Sequence, residues 1–137
     1  MNPTTLSLII PCYNVQDYVQ AALQSVLDNL SEENRQRVQW IMVNDSARDN
    51  TSAVIESFIA QHLLAKNVPH QYITQQNSGL SAARNTGLAH ATGDYVLFLQ
   101  HIQRYRAQTK ARFGVDFGWC VGYFLGSLWR RWRKKFV

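Results

Sequence analysis

The sequence predicts an α/β fold, one mostly parallel sheet with helices on both faces. Three observations predict it. Apolar runs of strand length alternate with amphipathic stretches of helix length in the order βαβαβαβ, and strands separated by helices pair in parallel through right-handed crossovers. The first apolar run ends in Pro-Cys-Tyr-Asn, and the second and third each end in a polar loop rich in Asn, Asp, Ser or Gly. With 137 residues, 46% hydrophobic and 17% charged, the chain has the size of one domain and too much apolar content for a disordered one.

The elements follow in order. Residues 6–11 are a short apolar run closed by a proline, the mark of a buried strand. The next helix is expected to begin at Asn14 as N-cap, with Asp17 in its first turn, where a carboxylate favours the dipole. Val15, Tyr18, Val19, Ala22, Leu23, Val26, Leu27 and Leu30 then return on one face. Residues 38–43 predict the second strand and 44–50 a polar loop. Residues 51–64 predict a second amphipathic helix with Val54, Ile55, Phe58, Ile59 and Leu63 inward. A weaker third strand is expected at 71–74 and a third helix at 81–91, where Gly87 would let the helix lie close to the sheet. Residues 94–99 predict the fourth strand.

In such a sheet ligands sit beyond the carboxyl ends of the strands, near the point where strand order reverses. The candidate site is therefore drawn from residues 11–14, 44–50, 75–79 and those right after Leu99. A carboxylate after the second strand accepts a hydrogen bond from a base N–H or a ribose hydroxyl, and Asp45 stands there; by position alone it is equally an ordinary loop residue. Asp49 has the same two readings, and its residue type favours capping the second helix. Ser78 and Gly79 open the third helix, whose N-terminus beside a strand end suits an anion. Arg84, one turn on, is a cation for phosphate or a structural partner for Asp45 or Asp94.

The net charge of +5 conceals two unlike segments. Residues 1–99 carry five Lys/Arg against eight Asp/Glu, whereas residues 100–137 carry nine against one and hold nine of the 16 aromatics. A boundary is expected near Leu99, dividing a domain of residues 1–99 from a basic, aromatic, glycine-rich tail of residues 100–137. Cys12 and Cys120 give neither a disulfide framework nor a metal cluster. No basic residue precedes the first apolar run, so no signal peptide is expected and the cytoplasm is the expected compartment.

Taken together, Ser7-Leu-Ile-Ile-Pro-Cys-Tyr-Asn14, Val43-Asn-Asp-Ser-Ala-Arg-Asp-Asn-Thr51, Asn77-Ser-Gly-Leu-Ser-Ala-Ala-Arg-Asn-Thr-Gly87 and Thr92-Gly-Asp-Tyr-Val-Leu-Phe-Leu99 resemble the motifs of family-2 glycosyltransferases. These enzymes have the Rossmann-like GT-A fold, and the resemblance covers about residues 5–99 of the sequence. It implies sugar transfer from a nucleotide-diphosphate donor, a UDP-sugar first among them, to an acceptor hydroxyl with inversion, as in polysaccharide biosynthesis. It further implies that Pro11, Tyr13, Asn14 and Asp45 hold the nucleoside, and that Asn77, Gly79 and Arg84 lie beside the diphosphate and ribose.

One departure bears on the chemistry. In the family an Asp-x-Asp element follows the strand matching residues 95–99 and binds Mn²⁺ or Mg²⁺, which bridges the two phosphates. Here Gln100, His101, Ile102 and Gln103 stand in its place, and no carboxylate follows before Asp116. A single histidine among neutral groups is a poor site for a hard cation, so no metal ligand is expected. An inverting transferase also needs a general base within about 3 Å of the acceptor hydroxyl. The family carries that base in the part of the domain that residues 100–137 do not resemble. The expectation is a truncated, catalytically impaired transferase, with a non-catalytic remnant or pseudo-transferase as its rival. An in-frame deletion and a frameshift both fit the change in composition, and the ordered glycines favour the deletion.

In the tail, residues 113–129 carry Asp116 as their only charge, and Gly114, Gly118, Gly122 and Gly126 recur every fourth residue, one smooth face if helical. Seventeen residues lie at the lower limit for crossing a bilayer. The expected reading is an interfacial helix anchored by Trp129, Trp132 and the basic cluster through Lys135 on an anionic membrane surface, peripheral to the inner face. A helix docked on the sheet edge is the alternative. Nucleic-acid binding is not expected, since no recognition motif accompanies the basic run.

Overall fold

The computed structural model describes residues 5–99. Strand β1 spans Leu6–Cys12, helix α1 Val19–Asp28, helix α2 Glu32–Arg35 and strand β2 Val38–Asn44. Helix α3 spans Thr51–Phe58 and runs on as a π-helical turn over Ile59–Leu63; β3 spans His70–Thr74, α4 Leu80–His90 and β4 Tyr95–Phe98. The readings of residues 100–137, including His101, Asp116, the interfacial helix and the basic cluster, lie outside the described residues.

The sheet has the order β3-β2-β1-β4, and every pairing is parallel, with Leu6 opposite Val38 and Tyr95, and Trp40 opposite His70. Alternation along the strands assigns the two faces. Leu6, Leu8, Ile10 and Cys12 of β1 join Val38, Trp40 and Met42 of β2 in one cluster, closed by Val19, Leu23, Val26 and Leu27 of α1 and by Ile55 and Phe58 of α3. Ile9, Ile41 and Val43 point the other way and meet Ala83 of α4. There the helix lies so close that a Cβ on Gly87 would come within 2.4 Å of Ile9 Cγ2, which is the packing role expected of that glycine.

Three local features differ from the sequence reading. Asn14 is not the cap of α1: its backbone is left-handed, with φ of 50°, and the helix begins later, after Tyr18. The cause lies in the loop opposite. Asn14 Oδ1, which a cap would turn onto the first amides of the helix, instead accepts from the Arg48 amide at 2.8 Å, while Thr51 Oγ1 accepts from the Val15 amide at 2.9 Å and Asp49 Oδ2 from the Gln16 amide at 3.2 Å. Helix α2 was not anticipated, because its four residues bury none of their side chains and so leave no apolar period; Ser31 caps it by accepting from the Asn34 amide. The third is the π turn. Phe58 and Leu63 are both buried yet five residues apart, a spacing that α-geometry would rotate about 140° out of line. Widening the turn, with the Leu64 amide donating to the Ile59 carbonyl at 2.9 Å, brings both inward.

Candidate functional site

Strand order sets where a ligand can enter. The chain steps outward from β1 to β2 to β3 and then returns to the other side of β1 as β4, so the order reverses between β1 and β4. Pro11 sharpens that point. The Ile9 carbonyl accepts from the Leu99 amide at 2.9 Å, so Ile9, and Pro11 two residues on, present their backbone toward β4. Proline brings no N–H there, and the described β1–β4 register runs to Ile9 opposite Phe98. Tyr13 and Asn14 follow at that end of β1, and Tyr13 is 39% exposed.

The loop after β2 is braced from both sides. Asn14 Oδ1 accepts from the Arg48 amide at 2.8 Å, and the Asn50 amide donates to Gln16 Oε1 at 2.8 Å. Asp49 Oδ1 accepts from the Thr51 amide at the start of α3, at 3.0 Å, and from the Thr51 hydroxyl, so its carboxylate serves the helix start, as its residue type suggested. Burial alone would raise the Asp49 carboxyl; the hydrogen bonds from Thr51 and Gln16 outweigh it and hold the group below its ordinary value. Deeper in, Asn44 Nδ2 donates to the Tyr72 hydroxyl at 2.9 Å, and that hydroxyl lies 2.8 Å from Ser52 Oγ.

Asp45 is the centre of the arrangement. It is only 4% exposed, and its amide continues the β1–β2 ladder by donating to the Cys12 carbonyl at 2.9 Å. Oδ1 accepts from the Ser78 amide and from Gln75 Nε2, and Oδ2 from the Gly79 amide, each at 2.9 Å. Burial pushes this carboxyl up, and the three donors more than reverse it, leaving it below its ordinary value. The Ser78 and Gly79 amides, read from the sequence as an anion cradle, are thus turned onto the protein's own carboxylate. Gly79 reaches this position with φ of 90°, a conformation that side chains disfavour. A carboxylate has about four acceptor positions, so, counting donors among the described residues, one is left on Oδ2.

Of the other expected residues, Asn77 is exposed on the 75–79 connection. Arg84 is half-buried with its guanidinium 5.8 Å from the centre of the Phe98 ring, a cation–π contact on the β4 side of α4. Cys12 is buried, and burial pushes its thiol up to about 12, which keeps it an inert core thiol. The sequence reading placed Gln75 in the candidate segment 75–79 without giving it a role, and missed Thr86 and Tyr72. Gln75 had a usable signal, since it directly follows a predicted strand; Thr86 inside a helix had none.

The described residues do not fit a divalent cation. Among the described residues no three His, Cys, Asp or Glu gather at one place, Asp45 and Asp49 are committed to amide and hydroxyl donors, and Gln100–Gln103 supply no carboxylate. Among the described residues, no helix is long and apolar enough to cross a membrane.

A parallel sheet with polar loops converging at the carboxyl ends beside a topological switch point defines the open α/β class, whose ligands bind at that point. The comparisons make the class specific. Glycosyl transferase family 2 matches residues 7–100, and the chain belongs to that family. It is 34% identical over 96 residues to glycosyltransferase GlyA of Streptococcus pneumoniae, covering 69% of this chain and 12% of that protein. It is 35% identical over 96 residues to the minor teichoic acid biosynthesis protein GgaB of Bacillus subtilis, covering 68% and 10%. This chain therefore spans about a tenth of each of these relatives. Among solved structures, S. aureus TarS in complex with UDP superposes with a TM-score of 0.58 at 25% identity, covering 70% of this chain and 27% of that one. The mannosyltransferase PcManGT of Pyrobaculum calidifontis, in complex with GDP-Man and Mn²⁺, gives a TM-score of 0.61 at 21% identity, covering 69% and 26%, and shows the same fold.

Proposed function

We propose that this chain binds the nucleotide of a nucleotide-diphosphate sugar, a UDP-sugar first among them, and does not by itself transfer the sugar. The observation that carries the binding is convergence. Tyr13, Asn14, Asp45 and the 75–79 connection are distant in sequence and meet at the carboxyl ends of β1, β2 and β3, beside the reversal of strand order. The exposed ring of Tyr13 offers a face to the base. The acceptor position left on Asp45 takes a base N–H or a ribose hydroxyl, and Asn77, Gly79 and Arg84 stand on the diphosphate side. TarS, solved with UDP and with UDP-GlcNAc at 25% identity, supports uridine as the nucleoside.

The second half of the proposal rests on what the residues lack. Transfer with inversion needs a group to take the acceptor's proton and positive charge to meet the leaving diphosphate. No carboxylate stands between Leu99 and Asp116 to serve as either base or metal ligand. Trp129, Trp132 and the five basic residues from Arg130 to Lys135 would hold such a chain at an anionic membrane surface on the cytoplasmic side. The test is an amide-resonance titration of the full chain with UDP, beside a donor-consumption assay. Shifts at Tyr13, Asn14, Asp45 and Ser78–Gly79 with no sugar released from UDP-GlcNAc are expected. Shifts confined to other residues would contradict the site, and sugar transfer would contradict the impairment.

A further inference from the structure

We infer that Gln75 is a positioning residue for this site, one that aims the Asp45 carboxylate and couples it to the middle of α4. The inference rests on the nucleotide-binding reading above and names a residue that the resemblance does not assign.

Four contacts fix Gln75. Its amide donates to the Asn44 carbonyl at 3.0 Å, and its carbonyl accepts from Ser46 Oγ. Its side-chain Nε2 donates to Asp45 Oδ1 at 2.9 Å, and Oε1 accepts from Thr86 Oγ1. Every polar group of this half-buried residue is therefore engaged, and its partners lie on the end of β2, the loop after it and α4. The side-chain orientation is determined by its neighbours: a carboxylate accepts only, so the NH₂ must face Asp45 and the carbonyl oxygen must face the hydroxyl of Thr86.

The consequence is mechanical and electrostatic together. Ser78 and Gly79 hold Asp45 from the start of α4, while Gln75 holds it from the end of β3. Thr86, which also lies 3.0 Å from the Ala82 carbonyl, ties that hold to the second turn of the helix. Without Gln75 the carboxylate keeps two amide donors but loses its only side-chain donor among the described residues, and the acceptor position offered to a nucleoside is no longer fixed in direction.

The experiment compares the full chain with Gln75→Met, Gln75→Glu and Thr86→Val, following the Asp45 side-chain carboxyl by ¹³C resonance against pH and UDP affinity by titration. Gln75→Met keeps the length and removes the donor; the Asp45 midpoint is expected to rise and UDP affinity to fall about tenfold. Gln75→Glu places a second carboxylate against the first and should raise the midpoint by about one unit or more. Thr86→Val retains Gln75 but frees its orientation, giving a smaller rise in the same direction. A role in stability alone would lower the melting temperature and leave the Asp45 midpoint in place, and an unchanged midpoint in both Gln75 variants overturns the inference. If the midpoint moves as expected while the parent chain binds no UDP, the positioning of Asp45 stands and the nucleotide reading falls.

Discussion

On the face of the sheet covered by α1 and α3, large side chains fill space: Trp40, Leu23 and Met42 are fully buried, and the Trp40 and Phe58 rings stack with centroids 6.3 Å apart. On the α4 face the contact is made by small residues. Ala83 and Gly87 are the buried positions of that helix, and the helix is drawn onto Ile9 rather than separated from it by side chains. The first face supplies most of the apolar burial that holds the fold. The second leaves α4 little apolar grip and fixes its start through Asp45 and its second turn through Gln75 and Thr86. The comparison teaches that volume stabilises one side while polar contacts aim the other, and the aimed side is the one that reaches the candidate site.

The largest effect should come from the volume side. Trp40→Ala is expected to cost about 3–5 kcal/mol, the usual range for truncating a fully buried aromatic, read as a lower denaturation midpoint in urea. A loss under about 1 kcal/mol would mean that this face is not the main core.

Gly87→Val attacks the other side by overfilling it. With a Cβ placed 2.4 Å from Ile9 Cγ2, destabilisation of about 1–3 kcal/mol is expected. Adding Ile9→Ala should recover part of that loss, because the two positions share one space. Additive costs in the double variant would show that the helix does not rest on Ile9.

A smaller effect is expected from Asp45→Asn at neutral pH, about 1 kcal/mol, since the amide still offers one acceptor to the Ser78 and Gly79 donors. The pH dependence gives this variant its sharper reading. Asp45 and Asp49 both sit below their ordinary values when folded, so the unfolded chain binds more protons in that window. Their stabilisation is complete above the ordinary carboxylate range and is lost as pH falls through the folded values. Denaturation midpoints should therefore decline as pH drops below about 4, and Asp45→Asn should decline less steeply. Equal slopes would assign the acid sensitivity to other carboxylates.

The two sides also differ in how far the sequence disclosed them. The α1–α3 face was legible because apolar residues returned at helical spacing, and Val19, Ala22, Leu23, Val26 and Leu27 are the buried residues of α1. The strands were legible as short apolar runs set between polar loops and helices. The π turn was not, because it reconciles two inward residues whose spacing fits no single period. Asn14 misled because an asparagine before an apolar stripe reads as a cap, whereas its side chain is turned onto the Arg48 amide, distant in sequence, and its backbone is left-handed. At the site, the sequence placed Asp45 at the strand end but could not show which donors it would meet. Gln75 and Thr86 are ordinary polar residues until the fold sets them side by side.

The most direct test of the account is calorimetric titration of the purified chain with UDP, with and without Mn²⁺, repeated on Asp45→Ala. The account predicts saturable binding that is the same with and without the metal, since no carboxylate set to hold it is present among the described residues, and lost in Asp45→Ala. No binding in either condition, or binding that appears only with Mn²⁺, would contradict it.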